Sequence, residues 1–248
     1  MFRFFLRNKK AEGEENPSRN LWIYGLGEFV LVFLGILIAL QVENWNQDRQ
    51  DRKLEQVLLS EMLSELKADQ EDIEYNTRVQ RQLLNSNRVV LGFMKSNLPW
   101  HDSLGTHFTR LMGGSIFDFN ASAYESLKTI GIDLIRNDKL RQKITKVYTV
   151  RYTHVKANEE ILFKFIFDHL YSALRENLHT VIPREMTVPV SLDNLRQNNS
   201  FMEDLNMNIF IYSVSLRAYR MASEDIVSLI ADIEQELGMD KPTNRDVK

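Results

Sequence analysis

The chain is 248 residues long, carries a net charge of −3 and contains no cysteine. The near-neutral balance removes the electrostatic case for nucleic acid as a partner, and the missing thiols exclude disulfides, a thiolate nucleophile and Cys-based zinc. Ten glycines and five prolines are few, which suits long helices and argues against a β-sandwich.

Residues 1–20 form a short arm, basic and then acidic, with Phe2, Phe4, Phe5 and Leu6 among Arg3 and Arg7. It reads as the flank of an anchor, too short to bury much area on a membrane surface. Residues 21–42 follow, LWIYGLGEFVLVFLGILIALQV, with no proline and a single charge at Glu28. At about 1.5 Å per residue the stretch reaches roughly 33 Å, enough to cross a hydrocarbon core of about 30 Å. Hydrocarbon leaves no backbone group a partner outside the segment, so one transmembrane helix is expected. Trp22 and Tyr24 at one end, and Trp45 just past the other, are placed for the two interfaces. A cleavable signal peptide has a shorter apolar region and a small-residue cleavage site, and a core helix of a soluble domain shows a polar face. This stretch has none of these.

Within the span, Glu28, Gly35 and Ala39 fall on one helical stripe. A carboxyl in hydrocarbon is costly and faces a partner or water, and small residues let two backbones approach. The stripe predicts span association, with a second copy or another membrane protein as partner beside the lipid bilayer. Arg3, Arg7, Lys9, Lys10 and Arg19 precede the span, against Arg49 and Arg52 close behind it. That bias predicts a cytoplasmic N-terminus and an exported, periplasmic domain over residues 43–248, anchored in a bacterial inner membrane.

From Glu43 to about Asn97 there is no proline, and Leu54, Leu58, Met62, Leu66, Ile73, Val79, Leu83, Val90 and Met94 mark a helical stripe. Pro99 ends it. Asp102 and Ser103 open a short helix that stops at Gly113-Gly114. Ser122-Ala-Tyr-Glu125 has the spacing of a capping box, and Gly131 is placed to end that helix. Asn137 or Asp138 caps a long segment faced by Leu140, Ile144, Val147, Tyr148, Val155, Leu162, Phe165 and Ile166. Val181 to Leu192, with Pro183 and Pro189, reads as an extended linker.

A second capping box, Ser200-Phe-Met-Glu203, opens the last helix, and Gly238 with Pro242 closes it. Between them Met202, Leu205, Ile209, Tyr212, Leu216, Tyr219, Ser223, Ile226, Ile230, Ile233 and Leu237 follow heptad steps. Tyrosines in the seam suit a mixed bundle core better than a regular zipper between chains. The expected fold is all-α: one transmembrane helix, then an antiparallel long-helix bundle.

Two segments carry a resemblance. Gly27 to Gln41, running into Glu43-Asn44-Trp45-Asn46, resembles the anchor of a large family of uncharacterised single-span proteins of Gram-negative bacteria (domain of unknown function, 6090 type). Tyr124-Glu125-Ser126-Leu127-Lys128, Gly131, Leu134 to Asn137 and Leu140-Arg141 are similar to that family's second motif, with a less polar Ile132-Asp133 link. The family has no assigned activity, so the resemblance implies an inner-membrane protein of unknown function.

No constellation carries strong chemistry. Glu176-Asn-Leu-His179 has the E-x-x-H spacing of bundle di-iron sites, but such a site needs a second copy and two further glutamates. His101, Asp102 and His107 share a loop without a third ligand, and His154 and His169 fall on the long helix as ordinary polar-face or core histidines. No P-loop, Rossmann glycine pattern or nucleophile elbow is present. The expectation is therefore a membrane-anchored binding, sensing or scaffold module, without catalytic site, cofactor or metal. The alternatives are a membrane-tethered metal enzyme using the His101–His107 loop, or a structural subunit of a larger membrane complex.

Overall fold

The computed structural model describes residues 17–179 and 187–239, with side chains from Leu26 onward. The arm before Pro17, the linker around Pro183 and the stop at Pro242 lie outside the described residues, as do the side chains of Trp22 and Tyr24. The described chain is all-α: α1 (Pro17–Met94), α2 (Ser103–Thr109), α3 (Ser122–Ile130), α4 (Asp138–Lys146), α5 (Tyr152–Phe165), α6 (Tyr171–Asn177), α7 (Leu192–Gln197) and α8 (Asn199–Glu236). Single π-helical turns, Val147–Arg151 and Ile166–Leu170, join α4, α5 and α6 into one run. The linker region contributes one antiparallel bridge, Leu178 with Pro189, flanked by His179 N–H to Val188 and Val190 N–H to Asn177, both 2.9 Å.

The chain divides into two units, residues 1–53 and 54–248. In the first, α1 is helical without a break through Asn44–Asn46. Its apolar stretch is long and apolar enough to cross a membrane, and none of it is buried within the chain. Phe29, Leu31, Ile36, Ile38 and Val42 are all more than half exposed.

The second unit is a bundle of α1 from Leu54, the α4–α6 run, and α8. Glu55 accepts the backbone N–H of Arg136 and Asp69 accepts the hydroxyl of Tyr152, so α1 and the α4–α6 run point the same way. Asn208 donates to Asn87 at 2.8 Å and Lys67 pairs with Glu234 at 2.6 Å, which sets α8 antiparallel to both. Two parallel neighbours need a connection that climbs back. Residues 95–137 supply it, with α2 and α3 as its short helices.

The seams are heptads, but their centres differ from the apolar reading. In α1 the buried line runs Glu55, Leu59, Met62, Leu66, Asp69, Ile73, Asn76, Gln80, Leu83, Asn87, Val90, Met94, while Leu54 is exposed and Val79 half-buried. In α8 it runs Phe201, Leu205, Asn208, Tyr212, Ser215, Tyr219, Ala222, Ile226, Leu229, Ile233. The line expected through Met202, Ile209, Leu216 and Ser223 lies one residue to its side, half-buried. Polar side chains in the seam displaced the apolar reading, because Asn208 is buried with Asn87 as its partner.

In the α4–α6 run the buried positions step by four in succession across each π turn: Ile144, Tyr148, Tyr152, and then Leu162, Ile166, Leu170, Leu174. The extra residue of a π turn absorbs what would otherwise be a three-residue step. The core divides into three apolar clusters along the bundle. Buried polar positions lie between them in sequence: Asn76 and Gln80 on α1 with Ser215 on α8, and then Asn87 with Asn208.

Candidate functional site

Both helix starts expected to carry capping boxes are built differently. At α3 the side chain of Asn120 accepts the N–H of Ser122 at 3.0 Å and its hydroxyl at 2.7 Å, while Glu125 pairs with Lys128. With the Ser122 N–H on Asn120 and the Glu125 N–H on the Ala121 carbonyl at 2.9 Å, both donors a local box would use are taken, while the Ala123 N–H is accepted by Glu65 from across the bundle at 3.2 Å. At α8 the cap is Asn198, which accepts Phe201 N–H at 3.0 Å, two residues ahead of the expected cap Ser200. Asn137 caps α4 by accepting Leu140 N–H at 3.2 Å, and Gly131 ends α3 at φ +128°, both as expected.

Glu65 belongs to a ladder. Asp72 accepts Asp118 N–H at 3.0 Å, Asp69 accepts Asn120 N–H at 3.0 Å, and Glu55 accepts Arg136 N–H at 2.9 Å. From the other side, Glu159 of α5 accepts Phe117 N–H at 2.7 Å together with the hydroxyl of Tyr219. Carboxylates thus satisfy the backbone of a segment that has no helix or strand of its own, where an unpaired buried N–H would be costly. Aromatic rings fill the space beneath: Phe119 lies 4.3 Å from Tyr152, and Tyr124 stacks on Tyr148 at 4.5 Å. Burial raises Asp69 to about 6, against the Tyr152 hydroxyl and the Asn120 amide, which both favour its charged form. Burial also raises Tyr148, whose hydroxyl has no hydrogen-bond partner among the described residues. The arrangement holds a strap in place.

A concavity of the second unit lies between α5 with its following π turn and α8. It encloses about 560 Å³ and is lined by Ile161, Lys164, Phe165, Asp168, His169, Glu203, Asp204, Met207 and Ile211. The π turn lets Ile166 and Leu170 both face the core. Phe165 and His169, one turn apart beside it, stack at 5.1 Å on the groove side. Lys164 and Asp168 close one rim as an ion pair at 2.9 Å. On the other rim, Glu203 and Asp204 make no ion pair or hydrogen bond among the described residues. Partial burial raises the carboxyl of Asp204, with His169 acting in the opposite sense. Ile161 and Met207 remain 55 and 48 % exposed within the groove.

The residues singled out from the sequence are spread rather than gathered. Glu28, Gly35, Ala39 and Trp45 are exposed along α1, and a Cβ at Gly35 would meet nothing within 4 Å. His101 bonds Ser103 at 2.9 Å in its own turn, whereas His107 bonds Ser86 of α1 at 3.0 Å. Glu176 is exposed on α6 and His179 follows the helix end, with its backbone in the bridge to Val188. Among the described residues, no three His, Asp or Glu side chains are grouped to hold a metal. Sequence reasoning placed His169 on a helix but missed the groove. Its signal was the apolar Met207 on α8 and Ile161 on α5, which lie off the seams and stay exposed.

A family model described as a family of unknown function, DUF6090, matches residues 28–181. The match takes in the exposed apolar stretch, the carboxylate-held strap and the run up to α6, while α8 lies beyond it. No curated protein and no solved structure matches the chain.

Proposed function

The chain belongs to the DUF6090 family of unknown function, and from that starting point we propose that it is a single-span membrane protein whose helical domain is a binding module. The observation that carries this reading is the groove between α5 and α8. It falls within the size range of small-molecule sites, about 300–1,000 Å³, and is walled by apolar side chains with a few polar groups at the rim. Support for the anchor comes from the apolar, unburied stretch of α1 and from the basic residues ahead of it. On this reading the N-terminus is cytoplasmic, the domain is exported from the inner membrane, and the lipid bilayer is the first partner. Glu28, Gly35 and Ala39 bring spans together, with Trp22, Tyr24 and Trp45 at the interfaces. No nucleic acid, cofactor or catalytic step enters the proposal.

Native mass spectrometry of the full chain, purified from its own membrane in mild detergent, tests it. A co-purifying small molecule is expected, lost when Met207→Trp fills the groove. A chain that carries only protein subunits, unchanged by Met207→Trp, contradicts the binding module and favours a structural subunit.

A further inference from the structure

We propose that the ligand of the α5–α8 groove is a small organic cation with an apolar or aromatic body. This inference rests on the binding reading above and names the chemical class. Its charge lies against Glu203 and Asp204, and its body covers Phe165, Met207 and Ile211.

The charges of the lining decide between ligand classes. Of its acidic groups, Asp168 is already matched by Lys164 at 2.9 Å. Glu203 and Asp204 stand adjacent on α8 without an ion pair or hydrogen bond among the described residues. An anion entering the groove meets three carboxylates against Lys164, itself engaged by Asp168, and His169, and is repelled. A neutral apolar ligand gains the contacts of Ile161, Phe165, Met207 and Ile211 but strips water from Asp204, whose carboxyl burial already disfavours as an anion. Covering a carboxylate without supplying a counter-charge is costly. An organic cation offsets that cost and keeps the apolar gain. The ring of Phe165, stacked on His169, lines the groove with aromatic surface of the kind that attracts cationic groups. The volume of about 560 Å³ holds a ligand of this kind.

The test uses the full chain in lipid nanodiscs with methyl-labelled methionine, the Met207 signal being identified by its loss in Met207→Leu. Benzyltrimethylammonium is titrated against its uncharged isostere neopentylbenzene, at equal free concentration in the aqueous phase. The cation is expected to shift the Met207 methyl saturably, leaving methionines away from the groove in place. The Glu203→Gln/Asp204→Asn double variant is expected to bind about tenfold more weakly or worse, a loss of about 1.4 kcal/mol. If neopentylbenzene shifts Met207 as strongly as the cation, the groove takes apolar ligands and the cation assignment falls while the binding module stands. If neither probe moves Met207 at millimolar concentration, the cation assignment and the groove as a ligand site both fall.

Discussion

Asp69 accepts two hydrogen bonds, from the Asn120 amide at 3.0 Å and the Tyr152 hydroxyl at 2.5 Å, and is still raised from 3.8 to about 6. Burial outweighs both donors because the carboxyl is almost wholly covered by α1, α5 and the strap. The folded chain therefore binds this proton more tightly than the unfolded chain does. The contribution is fully present below about pH 4 and is lost as the pH rises through about 6. Over that window the shift corresponds to about 3 kcal/mol. Thermal melts of the full chain at pH 4 and pH 7 are expected to show this loss, and Asp69→Asn is expected to remove that component of it. Equal pH dependence in both chains would show that Asp69 is not buried as described. Glu65, Asp69 and Asp72 fall on one helical face by their spacing, but an acidic face beside an apolar stripe reads as solvated and was not singled out. The amides they accept lie 46 to 58 residues away in sequence, so the strap itself was not legible.

At the scale of the element, the ends of helices were read by local spacing, and tertiary partners changed two of them. Ser122 and Glu125 have the right separation for a capping box, but the Asn120 side chain takes the Ser122 amide and the Ala121 carbonyl takes the Glu125 amide. Asn198 begins α8, so Ser200 stands within the first turn. Asn198→Ala is expected to cost about 1 kcal/mol of stability and Ser200→Ala close to nothing, read as melting temperatures of the full chain. The reverse ranking would restore the box at Ser200. Gly131 was legible because φ +128° is a conformation glycine adopts without the cost a side chain brings. The α8 seam was legible in period and in one of its two lines, Leu205, Tyr212, Tyr219, Ile226 and Ile233, but not in the other. A strict apolar count favours Ile209 and Leu216, whereas burial falls on Asn208 and Ser215. Gln80, at 0 % exposure with neither amide atom partnered among the described residues, belongs to the same pattern on α1. Such polar positions cannot be assigned to a core from one sequence, since their burial depends on what the neighbouring helix offers.

For the whole molecule, fold class followed from long runs without proline or glycine and from periodicity sustained over many turns. The directions of the helices followed from long-range pairs instead. Glu55 with Arg136 and Asn87 with Asn208 join residues 81 and 121 positions apart, which no local signal encodes. The groove was hidden for the same reason: its walls come from α5 and α8, and the exposed Met207 of α8 looks like surface until α5 is set beside it. The proposed orientation requires that the domain lies on the far side of the membrane from the basic arm. Because the chain contains no cysteine, Val227→Cys introduces a single thiol on an exposed position of α8. Its labelling by a membrane-impermeant maleimide in intact spheroplasts of a Gram-negative host tests the account directly. Full labelling without permeabilisation is the predicted result. Labelling only after lysis would place the domain in the cytoplasm and contradict the account.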